Sequence, residues 1–226
     1  LDVDVEKERI SLGIKQVDAD PMADADFKRG QIITAEVVDV ATGDLFGFSV
    51  AISGATAIIG APGKTIEARA VQGAAYAFVK SGGAWSQQGG KLPFSGGAER
   101  DFFGGSVAVS GETAVVQFQN QLNAGNRGAS FFVRTQGAWT EQQKISVPNT
   151  GSKLGKVGIS GVSAMIGTAI YTRNGAAWSV QATLTPIADE AGSLFGEAGV
   201  AVDGDTAIVG AYAEDVATNV NQGAAY

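Results

Sequence analysis

The chain has no cysteine and no histidine. Disulfide frameworks and thiolate metal sites are therefore excluded, and so is the side chain that most often moves protons near neutral pH. A serine or threonine hydroxyl would then need a lysine or carboxylate partner that no spacing here identifies, so the chain reads as a non-enzyme. Acidic pairs such as Asp189-Glu190 and Asp203 with Asp205 fall in expected turns, where solvation explains them. Proline is scarce at 5 of 226 residues, and charged residues make up only 17%; the chain is too apolar for a disordered one. Basic residues are outnumbered, 16 against 23 acidic, for a net charge of −7. Without a basic footprint, the charge argues against nucleic acid and anionic membranes as main partners. No apolar run approaches the roughly 18 residues of a membrane-spanning helix. The opening Leu-Asp-Val-Asp-Val-Glu-Lys-Glu-Arg is charged where a secretory leader is apolar.

What is plentiful is glycine, 32 residues, within a 45% hydrophobic chain, and its distribution is periodic. The stretch LFGFSVAISGATAIIGAPG, Leu45 to Gly63, returns as FFGGSVAVSGETAVVQ from Phe102, KLGKVGISGVSAMIG from Lys153 and LFGEAGVAVDGDTAIVGAY from Leu194. A second phrase follows the first three copies: GAAYAFVKSGGAWSQQ, GASFFVRTQGAWTEQQ and a shortened TAIYTRNGAAWSVQ. Aligning Phe46, Phe103, Leu154 and Phe195 gives spacings of 57, 51 and 41 residues, which suit a small antiparallel sheet better than a helical hairpin of about 34 residues.

Each repeat parses into four short strands, SVAIS, TAIIGA, AAYAFVK and AWSQQGGKL in the first, because β-branched and aromatic residues alternate with Gly-rich turns. Ser53-Gly54, Ser110-Gly111, Ser160-Gly161 and Asp203-Gly204 fall between strands one and two, where a tight hairpin needs a residue tolerating positive φ. Frequent Ala and Gly within the strands allow sheets to approach closely around an axis. The expectation is an all-β propeller of four-stranded blades over residues 41–226, three full and a partial fourth. Gln31–Val40, with Arg9–Lys15, is expected to seal the fourth blade in the same chain or in a second copy.

Phe46-Gly47 followed by Gly60-Ala61-Pro62 resembles the signature of the FG-GAP repeat, the blade unit of integrin α-subunit propellers and of many bacterial surface proteins. Phe103-Gly104 and Phe195-Gly196 are further FG pairs, and Gly210-Ala211-Tyr212 is a degenerate GAP; in the third copy Leu154 replaces Phe and no GAP follows Gly167. The resemblance implies a non-enzymatic scaffold for protein interaction or adhesion at a cell surface. It also raises calcium, which such propellers hold in acidic loops of six to eight oxygen ligands. The inter-strand loops here read GKTIEARAVQ, NQLNAGNR and AEDVATNVNQ, so Asn120, Asn123, Asn126, Glu214 and Asp215 are weak calcium candidates that read first as turn formers, and no cofactor is expected.

Residues 1–40 stand outside the repeat. The runs Val3 to Gln16 and Phe27 to Val40 resemble the junction between two OB-type repeats of the large RNA-binding protein of the bacterial small ribosomal subunit. The RNA-facing phrase of that family, with its aromatics and histidine, does not occur, and Asp2, Asp4, Glu6, Glu8, Asp18, Asp20, Asp24 and Asp26 outnumber Lys7, Arg9, Lys15, Lys28 and Arg29. The pairing suggests a chimera, and it leaves location open between the cell surface of the repeat and the cytoplasm of the fragment. An RNA-binding hybrid and a chain that folds without a selected ligand stand as alternatives to the interaction module.

Two further motifs have plain structural readings. Gly60-Ala-Pro-Gly-Lys-Thr65 resembles a phosphate loop, but the first glycine of that motif would fall at Ile58, and no helix pattern follows. Trp85, Trp139 and Trp178 recur at the start of each fourth strand, which fits burial between sheets better than a carbohydrate platform. The expected partner is a protein or a second copy of the chain, through the loops Gly63–Gly73, Gln119–Gly128 and Tyr212–Gly223 on one rim.

Overall fold

The computed structural model describes residues 2–4, 9–11, 39–120, 122–123, 125–148, 154–185 and 193–226. They divide into two units, residues 1–32 and 33–226. In the first, β1 (Asp2–Asp4) pairs antiparallel with β2 (Arg9–Ser11). Of the strands expected to seal the fourth blade, Arg9–Lys15 and Gln31–Val40, Arg9–Ser11 pairs with Asp2–Asp4, and residues 12–15 and 31–38 lie outside the described residues.

The second unit is built wholly of antiparallel meanders. Blade 1 comprises β3 (Ser49–Ser53), β4 (Thr56–Ala61), β5 (Ala74–Ser81) and β6 (Ala84–Lys91). Blade 2 comprises β7 (Val107–Ser110), β8 (Thr113–Gln119), β9 (Arg127–Thr135) and β10 (Ala138–Ser146). Blade 3 comprises β11 (Val157–Ser160), β12 (Ser163–Ile166), β13 (Ala169–Asn174) and β14 (Ala177–Thr183). Blade 4 has β15 (Val200–Asp203), β16 (Thr206–Ala211) and β17 (Ala224–Ala225). Strand order within each sheet follows chain order. The β3–β4 hairpin and its three counterparts turn on Gly54, Gly111, Gly161 and Gly204, all with φ between 55° and 58°, the left-handed conformation that glycine adopts without penalty.

The first strands pack side by side, β3 on β7, β7 on β11 and β11 on β15, so the four sheets are successive blades of a propeller. Each blade has a front, toward the blade before it, and a rear, toward the blade after. One core lies between blades 1 and 2, where Ile58, Ala75 and Ala77 meet Phe103, Val107, Val109, Val116 and Phe132. A second lies between blades 2 and 3, where Val115, Ala129 and Phe131 meet Leu154, Val157, Ile166, Tyr171 and Trp178. Alternation along the strands of blade 2 thus serves two neighbours, while a third cluster, Ile59, Tyr76 and Phe78 with Val40, Phe46 and Trp85, belongs to the front of blade 1 and the segment that enters it.

The repeated residues fill corresponding places. Phe46 packs edge-on to Phe78 and Phe103 edge-on to Phe132, each with centroids 6.1 Å apart, and Leu154 occupies the same place in blade 3. Phe195 meets Tyr226 at 5.3 Å. Trp139 is buried between blades 1 and 2, where its Nε1–H donates to Gln88 Oε1 at 3.1 Å. Trp178 stacks on Phe131 at 4.3 Å, and Gln143 holds it by both backbone groups, accepting from its N–H and donating to its carbonyl. Trp85 packs against the front of blade 1.

Glycine in the signature is a matter of backbone approach. A Cβ on Gly60 would lie 2.0 Å from the carbonyl oxygen of Gly104, and one on Gly155 would lie 1.9 Å from that of Gly196. The glycines of the repeat are therefore where the backbones of successive blades touch. Blade 2 departs from this with Gln117, whose Nε2 donates to the carbonyls of Leu154 and Gly155 at 3.0 and 2.8 Å, so a side-chain amide bridges what two glycine backbones bridge elsewhere.

Candidate functional site

The loops joining second and third strands carry the sequence differences between repeats, and the structure describes how each is held. In blade 1 the backbone of Lys64 donates to Ala61, Ile66 and Arg69 exchange two hydrogen bonds, and Gly73 N–H donates to Lys64. Blade 4 repeats every bond: Glu214 to Ala211, Val216 with Asn219, and Gly223 to Glu214. Glu67 and Ala217 have φ of 54° and 56°, Val71 and Asn221 of 54° and 55°. The two loops therefore share one backbone, left-handed at the same places, although only the final Gln-Gly of their sequences agrees closely.

Beneath each loop lies a buried polar group on the segment entering the blade. In blade 1 it is Asp44, whose Oδ2 accepts from Ala41 N–H at 2.7 Å and from Lys64 Nζ at 2.8 Å. The Lys64 ammonium also binds Asp39, which in turn pairs with Lys91. Burial works against the charge on Lys64, but its hydrogen bonds to Asp44 and Asp39 prevail and hold its pKa above the ordinary value. Asp39 is held below the ordinary carboxylate value, first by the hydrogen bond from Lys91. The lysine of the phosphate-loop-like phrase is thus committed to two carboxylates of its own chain.

In blade 2 the group is Asp101, fully buried, accepting from Ala98 N–H at 2.6 Å and from Asn120 Nδ2 and Asn126 Nδ2, each at 2.6 Å. Asn120 Oδ1 accepts from the backbone N–H of Leu122 and Asn123, which fixes the orientation of its amide and presents N–H to the carboxylate. Asn123 Oδ1 accepts from Gly125 N–H. The three asparagines named as calcium candidates are thus brought together by turn bonds around Asp101. In blade 4 Ser193 takes the aspartate's place and Glu214 the lysine's. Glu214 is buried, with Oε1 accepting from Tyr226 OH at 3.1 Å and Oε2 unpaired among the described residues. Asp215 Oδ1 accepts from Asn221 N–H at 2.6 Å. Among the described residues no three of His, Cys, Asp and Glu cluster as a metal site.

A cavity of about 500 Å³ on the flank of blade 1 is lined by Asp39, Tyr76, Gln87, Gly89, Gly90 and Lys91. Burial, followed by the charges of Asp39 and Asp44, raises the pKa of Tyr76, so the phenol stays protonated across the physiological range. No phrase of the sequence marks this cavity, because its wall mixes a bulged fourth strand with the residue preceding the repeat.

Meandering four-stranded blades packed first strand to first strand define a β-propeller-type repeat protein. A family profile described as the FG-GAP repeat matches residues 29–78, 85–132 and 178–226, and the chain belongs to the FG-GAP repeat family. Separately, a short N-terminal stretch is similar to small ribosomal subunit protein bS1 of Rhodopseudomonas palustris, 63% identical over 41 residues. That stretch is 18% of this chain, and the chain spans 7% of the ribosomal protein's length.

Proposed function

We propose that the chain is a non-catalytic interaction module, which recognises a protein partner through the side chains of its second-to-third-strand loops. The observation that carries this reading is the common backbone of residues 63–73 and 213–223 under unlike side chains. A fixed frame bearing exchangeable residues is what a recognition surface on a rigid scaffold requires. Thr65, Glu67 and Ala68 are exposed on the first loop, and Ala217, Thr218 and Val220 on the fourth. The experiment is to recover a partner by cross-linking to the intact chain and to repeat the capture with T65D/E67A/A68T and with A217E/T218A/V220A. Loss of capture by either variant, with unchanged thermal unfolding, supports the reading; a partner that both variants retain in full overturns it.

A second reading, RNA binding through residues 1–40, has the similarity to bS1 in its favour and the acidity of the segment against it. RNA affinity that falls steeply with added salt would establish it.

A further inference from the structure

Glycine follows an asparagine or an aspartate at only two places in the chain, Asn174-Gly175 and Asp203-Gly204. Asparagine is a thermolabile residue, and it is most exposed to attack by its own backbone where the next residue has no side chain to shield the nitrogen. Such attack needs a free side-chain carbonyl, an unbonded N–H on the next residue and water around both. At Asp203 the nitrogen is engaged, because Gly204 N–H donates to Ser160 Oγ at 3.0 Å. At Asn174 neither the Gly175 N–H nor the side-chain amide makes a hydrogen bond among the described residues, and both residues are exposed. Four other asparagines spend their amides on turn bonds: Asn120 and Asn126 on Asp101, Asn123 on Gly125 and Asn219 on Gln222.

The dipeptide forms the tip of the β13–β14 hairpin. Asn174 pairs with Ala177 across a two-residue turn, in which Gly175 has a φ of 61° and Ala176 is not left-handed, as in a type II′ turn. The same tips in blades 1 and 2, Ser81-Gly82-Gly83-Ala84 and Thr135-Gln136-Gly137-Ala138, are left-handed at both central residues. Serine and threonine thus stand where blade 3 has asparagine, and neither carries an amide. Beside the tip, Arg173 pairs with Trp178. Its Nε donates to the Gly175 carbonyl at 2.9 Å, its Nη1 donates to Thr113 Oγ1 of blade 2 at 3.2 Å, and its guanidinium lies 5.9 Å from the Trp178 ring centroid. The turn therefore helps to hold a cation that joins blade 3 to blade 2.

We propose that Asn174 is a self-modification site, converted by water in the folded chain to aspartate and isoaspartate with release of ammonia. The Gly175 nitrogen, its proton taken by hydroxide, attacks Asn174 Cγ. The N–Cγ bond forms, the Cγ–Nδ2 bond breaks, and the amide nitrogen leaves as ammonia with a proton from water. Water then opens the five-membered imide. Cleavage of the new N–Cγ bond gives aspartate on an unchanged backbone, whereas cleavage between the Asn174 main-chain carbonyl and the Gly175 nitrogen leaves the backbone running through Cγ, longer by a methylene. Nothing is oxidised or reduced. Both products place a carboxylate next to Arg173, and the isoaspartate lengthens a two-residue turn, whose length fixes the register of its strands. The pairing of Arg173 with Trp178 loosens, and with it the outer contact between blades 2 and 3. The hairpin lies on the rim away from the loops proposed to recognise a partner, so either idea can fail alone.

The test is peptide mapping by mass spectrometry of the full chain, kept folded for days in mildly alkaline buffer, with isoaspartate counted by enzymatic methylation of its carboxylate. The Asn174 amide is expected to be lost completely, into an aspartate and an isoaspartate form, before any other asparagine loses a detectable share. Asn174→Ser, which installs the residue of blade 1, is expected to show no conversion at this position; should it fail to fold, Asn174→Gln, whose longer side chain disfavours the ring, replaces it. Aged wild type is expected to unfold at a lower urea midpoint than fresh protein, and the aged variant at an unchanged one. A folded chain that keeps its Asn174 amide while the urea-unfolded chain loses it, an earlier conversion at another asparagine, or a fully converted chain with the midpoint of fresh protein each overturns the proposal.

Discussion

Lys64 shows how one residue can be read in two ways until its neighbours are known. In the sequence it sits in a phosphate-loop-like phrase, while in the fold its ammonium is buried between Asp44 and Asp39. Removing one partner of a buried ion pair leaves the other charge uncompensated, so Lys64→Met is expected to destabilise the blades by about 3–5 kcal/mol in urea unfolding. The sign of the pH dependence follows from the shifts. The folded pKa of Lys64 is raised, so its contribution is complete below the unfolded value of about 10.4 and is lost as pH rises through the folded one. That of Asp39 is lowered, so its contribution is complete above about 3.9 and is lost as pH falls through the folded value. Unfolding followed against pH should show Lys64→Met losing the alkaline arm of this profile. Gly60 was legible as part of a signature, but not its reason, since the Gly104 carbonyl that crowds it lies 44 residues further along the chain. Gly60→Ala is expected to cost about 3 kcal/mol through forced separation of blades 1 and 2, whereas Gly210→Ala, with open space around it, should leave the melting temperature of the single chain unchanged.

At the scale of the element, the strands of blade 1 were legible nearly residue for residue, because alternation, the Ser-Gly turn and the aromatic content agree on the same boundaries. The loops were not. Their sequences differ, and what makes residues 63–73 and 213–223 alike is a set of backbone bonds and left-handed residues, Glu67 with Ala217 and Val71 with Asn221, that carry no glycine to announce them. Side chains that point to water from a shared backbone are interchangeable at little cost. T65D/E67A/A68T, which transplants the fourth loop's residues onto the first, is therefore expected to change the unfolding free energy by less than about 1 kcal/mol. Chemical denaturation of the variant measures this directly.

The four blades follow one another in chain order with a shared core between blades 1 and 2 and another between blades 2 and 3, and this was foreseeable from four repeats in order. The unlike burial of Val50 and Val107 was not, since the two look alike in sequence and Val107 is buried by Ile58 of the blade before it. Sharing also sets an order of events during synthesis. When residues up to Lys91 have left the ribosome, blade 1 has all its strands, yet Ile58, Ala75 and Ala77 still lack Val107, Val109 and Phe132. The rear of blade 1 is therefore covered only after much of blade 2 has emerged, and that of blade 2 only after Leu154, Val157 and Trp178. A nascent chain of this design always carries one sticky sheet at its growing end, and each newly made repeat acts as the chaperone of the one before it.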